Sequence, residues 1–390
     1  MSTVKNTSEK TEKMEKKEKT VVRGLEDIVA AETGVSYVDG VNGALYYAGY
    51  NVHDLAGRTS YEETIHLLWY GELPNRIELA DFRSRLVSEM RLPSQVIRMI
   101  ELAPPNSHPM AVLRSIVSAL GMFDPDVENN TLEANQRKAV RLTAQIPTII
   151  ADLHRVRTHQ PVLSPDPHLG FAPNFLYMFR GSLPDQEETE AIDLCMMLHA
   201  DHGLNASTFA ARVTASTKSD MHAAITSAIA TLKGPLHGGA NQRVMEMLNR
   251  IDDVDEVKAY IEGMLDEKKR IMGFGHRVYK TEDPRAKHLR NISESLCHRA
   301  NQGHLYEISH RIEQVVRKAK GIYPNVDFYS ATVQHALGIP KEYFTTVFAA
   351  SRISGWIAHI LEQYADNRLI RPTSKYTGQY GRTFVPIEKR

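Results

Sequence analysis

KEYFTTVFAASRISGWIAHILEQY, residues 341–364, reads as one long helix. Phe344, Phe348, Arg352, Trp356 and Ile360 recur every fourth residue, which lines them along one helical stripe. Four of the five are apolar or aromatic and the fifth is a cation. A buried guanidinium without a partner is costly. The stripe therefore predicts an anion facing Arg352, either a protein carboxylate or a ligand carboxylate held by two hydrogen bonds.

Helical spacing also covers Tyr61–Tyr70, stopping at Gly71 with Pro74 beyond, and Ile77–Met90 and Met110–Leu120. Longer helical patterns run over 186–200, 205–217, 220–232, 240–250, 254–271, 285–297 and 303–319. Pro-rich breaks lie at Pro104–Pro105 and Pro161–Pro173. Only residues 21–60, where six glycines punctuate alternating Val, Tyr and Leu, read as short strands and turns. The fold class is mainly α, with one or two small β elements near the N-terminus.

The chain has 390 residues, enough for two or three domains, and is 42% hydrophobic and 24% charged. Lys+Arg and Asp+Glu are both 47, so the formal net charge is zero. That argues against nucleic acid or an anionic membrane as the main partner, since both select a basic excess. No apolar run is long enough to span a bilayer. Two cysteines, Cys195 and Cys297, are too few for a disulfide framework and suit a reducing compartment. The N-terminal MSTVKNTSEKTEKMEKKEKT has no apolar core and no Arg, so it reads as neither a secretory nor a transit signal. The expected location is cytoplasmic. The tail, residues 1–21, reads as solvated chain that forms transient helix; an assembly handle is the alternative.

Four segments interrupt apolar helices with small residues, histidines and charges. They are HADHGLN (199–205), GPLHGGAN (234–241), GFGHRVYKTEDPR (273–285) and NVDFYS (325–330). In the second, glycines around His237 let the backbone turn sharply and approach a ligand. A helix starting at Gly238 or Gly239 would disfavour the imidazolium, leaving His237 a neutral donor suited to an enolate oxygen. A tight loop with a structural histidine is the alternative. In the third, Gly273 and Gly275 bracket Phe274, and His276, Arg277, Lys280 and Arg285 follow, the makings of an anion site or simply a solvated basic loop. It is not a dinucleotide fingerprint, because the sixth position is Val278, and no P-loop motif occurs. Asp327, between Val326 and Phe328, is either a base with a raised pKa or a helix cap. His199 and His202 are spaced to share a metal, but no carboxylate completes a ligand set, so no metal is expected.

These four segments, followed in order by SRISGW (351–356) and RPTSKY (371–376), resemble the citrate synthase family over nearly the whole chain from about residue 22. The order of the set is more specific than any member. The resemblance implies a helical two-domain fold: a large domain from 22–237 and 339–390, and a small domain inserted at 238–338 with a hinge near Gly338-Ile-Pro340. It implies the short type, since only about twenty charged residues precede the shared region. It implies an acyltransferase of the citrate (Si)-synthase type in the tricarboxylic acid cycle, acting on acetyl-CoA and oxaloacetate without a cofactor. It implies a homodimer, with larger assemblies left open. Asp327, His237 and His276 would be catalytic: base, donor to the thioester oxygen, and donor to the oxaloacetate ketone. His202, Arg285 and Arg352 would hold oxaloacetate, and Arg371 would reach into the neighbouring subunit's site. Gly273, Phe274, Gly275 and Lys280 would meet CoA. The nearest alternative is 2-methylcitrate synthase, which takes propionyl-CoA. A reading of a different class is a non-catalytic helical assembly protein, against which the joint presence of His237, His276 and Asp327 argues.

Overall fold

The long C-terminal pattern forms a short 3-10 turn, Lys341–Tyr343, running into an α-helix over Phe344–Ala365. This helix has no polar face. From Phe344 to Ile360 every residue is buried, including Ser351, Arg352, Ser354 and His359. The five-residue stripe is therefore part of a helix buried on all sides, not an amphipathic edge. Around it pack the helices Tyr61–Tyr70, Leu132–Arg157, Gln186–His199, Ala206–Ser216 and Met221–Leu232. Gly355 permits the closest approach: its N–H donates to the Ala200 carbonyl, and a β-carbon there would lie 2.5 Å from that oxygen.

The computed structural model describes residues 21–390, so the charged run at 1–20 lies outside the described residues. The chain divides into a main unit, Thr33–Ile370, and a unit made of its two ends, up to Glu32 and from Arg371 to Arg390. Among the described residues of the second unit, the regular structure consists of the 3-10 turns Arg23–Leu25 and Ile387–Lys389. No helix among the described residues is long and apolar enough to cross a membrane.

The expected β element is one antiparallel sheet of β1 (Ser36–Asp39), β2 (Ala44–Tyr47) and β3 (Tyr50–Asn51), in that order. Asp39 Oδ1 closes the β1–β2 turn by accepting from the N–H groups of Val41 and Asn42. The turn lies on the 278–282 segment, where Lys280 N–H donates to the Gly40 carbonyl at 2.9 Å.

Helix ends follow local chemistry. Ser60 and Glu63 form a capping box ahead of Tyr61–Tyr70, which stops at Gly71 with φ +81°. Several expectations need correction. Leu132–Arg157 is a 26-residue helix that was not anticipated, because Pro147 lies inside it; burial on the neighbouring helices outweighs the lost backbone hydrogen bond. Pro173 does not end a break. It occupies the first turn of the helix Phe171–Arg180, where a proline is tolerated. The short helix Ser94–Glu101 was also missed. The 254–271 pattern yields only a 3-10 turn and Val257–Asp266, because Lys268 takes a positive φ of 55°.

Candidate active site

Hydrogen bonds between loops gather the quoted segments. Gly275 N–H donates to the Tyr323 carbonyl, Asn325 N–H to the Gly273 carbonyl, and Asn325 Nδ2 to the Gly275 carbonyl, at 2.8–3.0 Å. The GFGHR loop is thereby zipped to the segment that starts the helix Val326–Ala336. Asn325 caps that helix by accepting from Asp327 N–H. Asp327 is thus free of capping duty. Thr345 Oγ1, on the buried C-terminal helix, donates to the Gly238 carbonyl and ties down the GPLHGGAN loop.

Asp327 is half-buried, and its Oδ1 is buried without a hydrogen-bond partner among the described residues. Burial pushes its carboxyl up to about 7, against the pull of the Arg285 and Arg352 guanidinium groups.

His237 precedes the helix Ala240–Leu248, whose cap is Gly239. Its pKa falls to about 4 through burial first and Arg352 second, which keeps it neutral. Its Nε2 accepts from Ser207 N–H at 3.3 Å and lies 2.8 Å from Ser207 Oγ. Ser207 Oγ itself accepts from Trp356 Nε1 and donates to Asn205 Oδ1. An Nε2 that accepts an amide N–H leaves the proton of the neutral ring on Nδ1, a tautomer assigned from the network.

His276 has the complementary arrangement. Its Nδ1 accepts from Val278 N–H at 3.0 Å and Tyr279 N–H at 3.1 Å, so the neutral ring is protonated on Nε2. Burial and Arg285 lower its pKa to about 4. His202 lies beside it, ring centroids 5.0 Å apart, and is held well below its ordinary value by burial and then Arg285. His199 turns away. Its Nδ1 donates to the Cys195 carbonyl and its ring meets Phe348 edge-on.

The two buried arginines differ. Arg285 is bidentate to Asp283, at 2.9 and 2.7 Å, leaving Nη1 without a hydrogen-bond partner among the described residues. Asp283 outweighs burial and raises the Arg285 pKa. Arg352 donates from Nε to the His199 carbonyl at 2.5 Å and lies over the Phe348 ring at 4.7 Å. No carboxylate among the described residues is within ion-pairing distance of it, and neither Nη group has a hydrogen-bond partner there. Burial brings its pKa down to about 10, with Asp201 and Asp327 working the other way. The anion predicted to face Arg352 is thus not a protein carboxylate in contact.

Arg285 and Arg352 both act on Asp327, while Arg352 also acts on His237 and Arg285 on His276. Phe274 packs on Phe328 at 4.7 Å, and a β-carbon on Gly273 would collide with Phe328 and Val244. Lys280 is exposed. Arg371 belongs to the unit formed by the chain ends and is exposed. Sequence reasoning missed Ser207, which fixes His237, and Asp283, which pairs with Arg285 from two residues away. For Asp283 the signal was present in the quoted DPR; for Ser207 there was none beyond its place two residues after Asn205.

The family model described as "Citrate synthase, C-terminal domain" matches residues 24–373. Citrate synthase 2 of Bacillus subtilis is 48% identical over 372 residues, 95% of this chain and all of that one. The citrate/2-methylcitrate synthase of the same organism is 40% identical over 356 residues, 91% of this chain and 96% of that one. The ternary complex of carboxymethyl coenzyme A and oxaloacetate with citrate synthase from the archaeon Thermoplasma acidophilum superposes with a TM-score of 0.89 at 35% identity, covering 95% of this chain and all of that one. The match extends across both the helical fold and the segments that meet around Arg352, and the chain belongs to the citrate synthase family.

Proposed function

We propose that the protein condenses acetyl-CoA with oxaloacetate and hydrolyses the resulting citryl-CoA to citrate and CoA. The observation that carries this reading is the buried Arg352 guanidinium, which has no carboxylate in contact among the described residues and acts on both Asp327, whose carboxyl is pushed up to about 7, and the neutral His237, while Arg285 acts on Asp327 and the neutral His276. The methyl protons of a thioester are weakly acidic, so their removal needs both a placed base and a donor at the oxygen that becomes negative. Asp327 takes the proton. His237 donates from Nδ1–H to the thioester oxygen. The enol carbon attacks the oxaloacetate ketone, whose oxygen accepts a hydrogen bond from His276 Nε2–H, and the proton held by Asp327 balances the new hydroxyl. Water then cleaves the citryl thioester. Arg352, the Nη1 of Arg285 and His202 hold the two carboxylates. Gly273, Phe274, Gly275 and Lys280 line the approach of CoA. Every step runs on groups of the chain, and the CoA thioester is a substrate rather than a cofactor.

The proposed domains are 22–237 with 339–390, and 238–338 between them. Helices within 238–338 pack on one another, which supports the division. Closure of the two over oxaloacetate would keep water from acetyl-CoA until the carbon–carbon bond has formed. The proposed location is the cytoplasm, in keeping with two free, buried cysteines. The proposed assembly is a homodimer in which Arg371 completes the neighbouring site. Mixed Arg371→Ala and Asp327→Asn proteins should then recover part of the lost activity once subunits exchange. A dead mixture after exchange has been demonstrated would contradict the shared site.

Thiol release from acetyl-CoA tests the function. It should require oxaloacetate and exceed release from propionyl-CoA. One methylene in an acyl pocket is worth about 1–3 kcal/mol, roughly 10- to 200-fold. A propionyl preference would transfer the assignment to 2-methylcitrate synthesis, and no release by folded protein would favour a non-catalytic role.

A further inference from the structure

Tyr279 packs against both imidazoles of the proposed oxaloacetate pocket, the three rings forming a triangle. It follows His276 by three residues, and the turn between them brings its N–H to His276 Nδ1 at 3.1 Å. The ring is 4% exposed, with its centroid 4.6 Å from that of His276 and 5.4 Å from that of His202. Its hydroxyl lies 3.1 Å from His202 Nε2. Burial raises the phenol's pKa, so it keeps its proton and needs an acceptor. The neutral imidazole of His202 supplies one.

We propose that Tyr279 is a positioning residue for both histidines: its hydroxyl donates to His202 Nε2, fixing that ring's orientation and placing its proton on Nδ1, while its amide holds His276 as the Nε2–H donor. This rests on the reading that His202 and His276 face oxaloacetate. A histidine free to flip or change tautomer would present a donor to the ligand only part of the time. The lost fraction would appear as weaker binding.

The two functions of Tyr279 separate in one substitution. Tyr279→Phe removes the hydroxyl and keeps both the ring packing and the amide. In the full-length protein the dissociation constant for oxaloacetate, measured by calorimetry, should rise roughly three- to tenfold, the worth of one buried hydrogen bond. The kcat and the KM for acetyl-CoA should stay near wild type, because His276 keeps its amide donors. An unchanged or tighter dissociation constant would overturn the role of Tyr279. So would equal losses in oxaloacetate binding, acetyl-CoA KM and kcat, which would mark a merely structural residue. Wild-type protein that binds no oxaloacetate would overturn the functional reading as well. Should the variant fail to fold, nitrogen-15 spectra of histidine-labelled wild type decide the matter: His202 protonated on Nδ1 supports the assignment, and on Nε2 contradicts it.

Discussion

Asp327→Asn is expected to lower kcat by about 10²- to 10⁴-fold, the usual worth of a placed general base, while oxaloacetate still binds. The side chain keeps its shape and loses only the capacity to accept a proton. Burial holds the Asp327 carboxyl at about 7. An ordinary surface aspartate is a far weaker base, and one with a much higher pKa would be protonated and idle at neutral pH. The same fact fixes the sign of the pH dependence. The ionised form is the active one, so in the free enzyme kcat/KM for acetyl-CoA should fall as pH drops through about 7. The acid limb should approach a slope of about tenfold per pH unit. Asparagine should remove that limb along with the activity. Near-normal turnover in the variant, measured by thiol release, would reject Asp327 as the base.

Arg352→Leu should weaken oxaloacetate binding by roughly 10- to 140-fold, since a charged hydrogen-bond partner is worth roughly 1.5–3 kcal/mol and each 1.4 kcal/mol is tenfold. Stability should move the other way or not at all. Arg352 is 2% exposed and has no carboxylate in contact among the described residues, so leucine removes a buried charge that no ion pair there neutralises. A structural arginine would lose stability on substitution and leave affinity intact. Calorimetric titration with oxaloacetate, set beside thermal unfolding of the same variant, separates the two cases.

The mainly helical class was legible because most helices carry their own stop signals, such as Gly71 after Tyr70. The helix containing Pro147 was not, because tertiary burial rather than local propensity sustains it. Within the site, residue types were legible and their pairings were not. The sequence shows that Arg285 and Arg352 are cations near apolar neighbours. Only the fold shows that Arg285 already holds Asp283 while Arg352 holds no carboxylate among the described residues. The neutral state of His237 was anticipated from a helix end; burial and Arg352, which only the fold shows, also lower its pKa. The tautomers depend on Ser207, Val278 and Tyr279, whose amides become donors only once the loops have folded.

A crystal structure of this protein with oxaloacetate and carboxymethyl coenzyme A bound together tests the central claim most directly. The account predicts the keto-diacid on Arg352, Arg285, His202 and His276. It places the carboxymethyl group of the thioester mimic within hydrogen-bonding reach of Asp327 and His237. A mimic seated out of reach of Asp327, or a diacid bound away from Arg352, would contradict it.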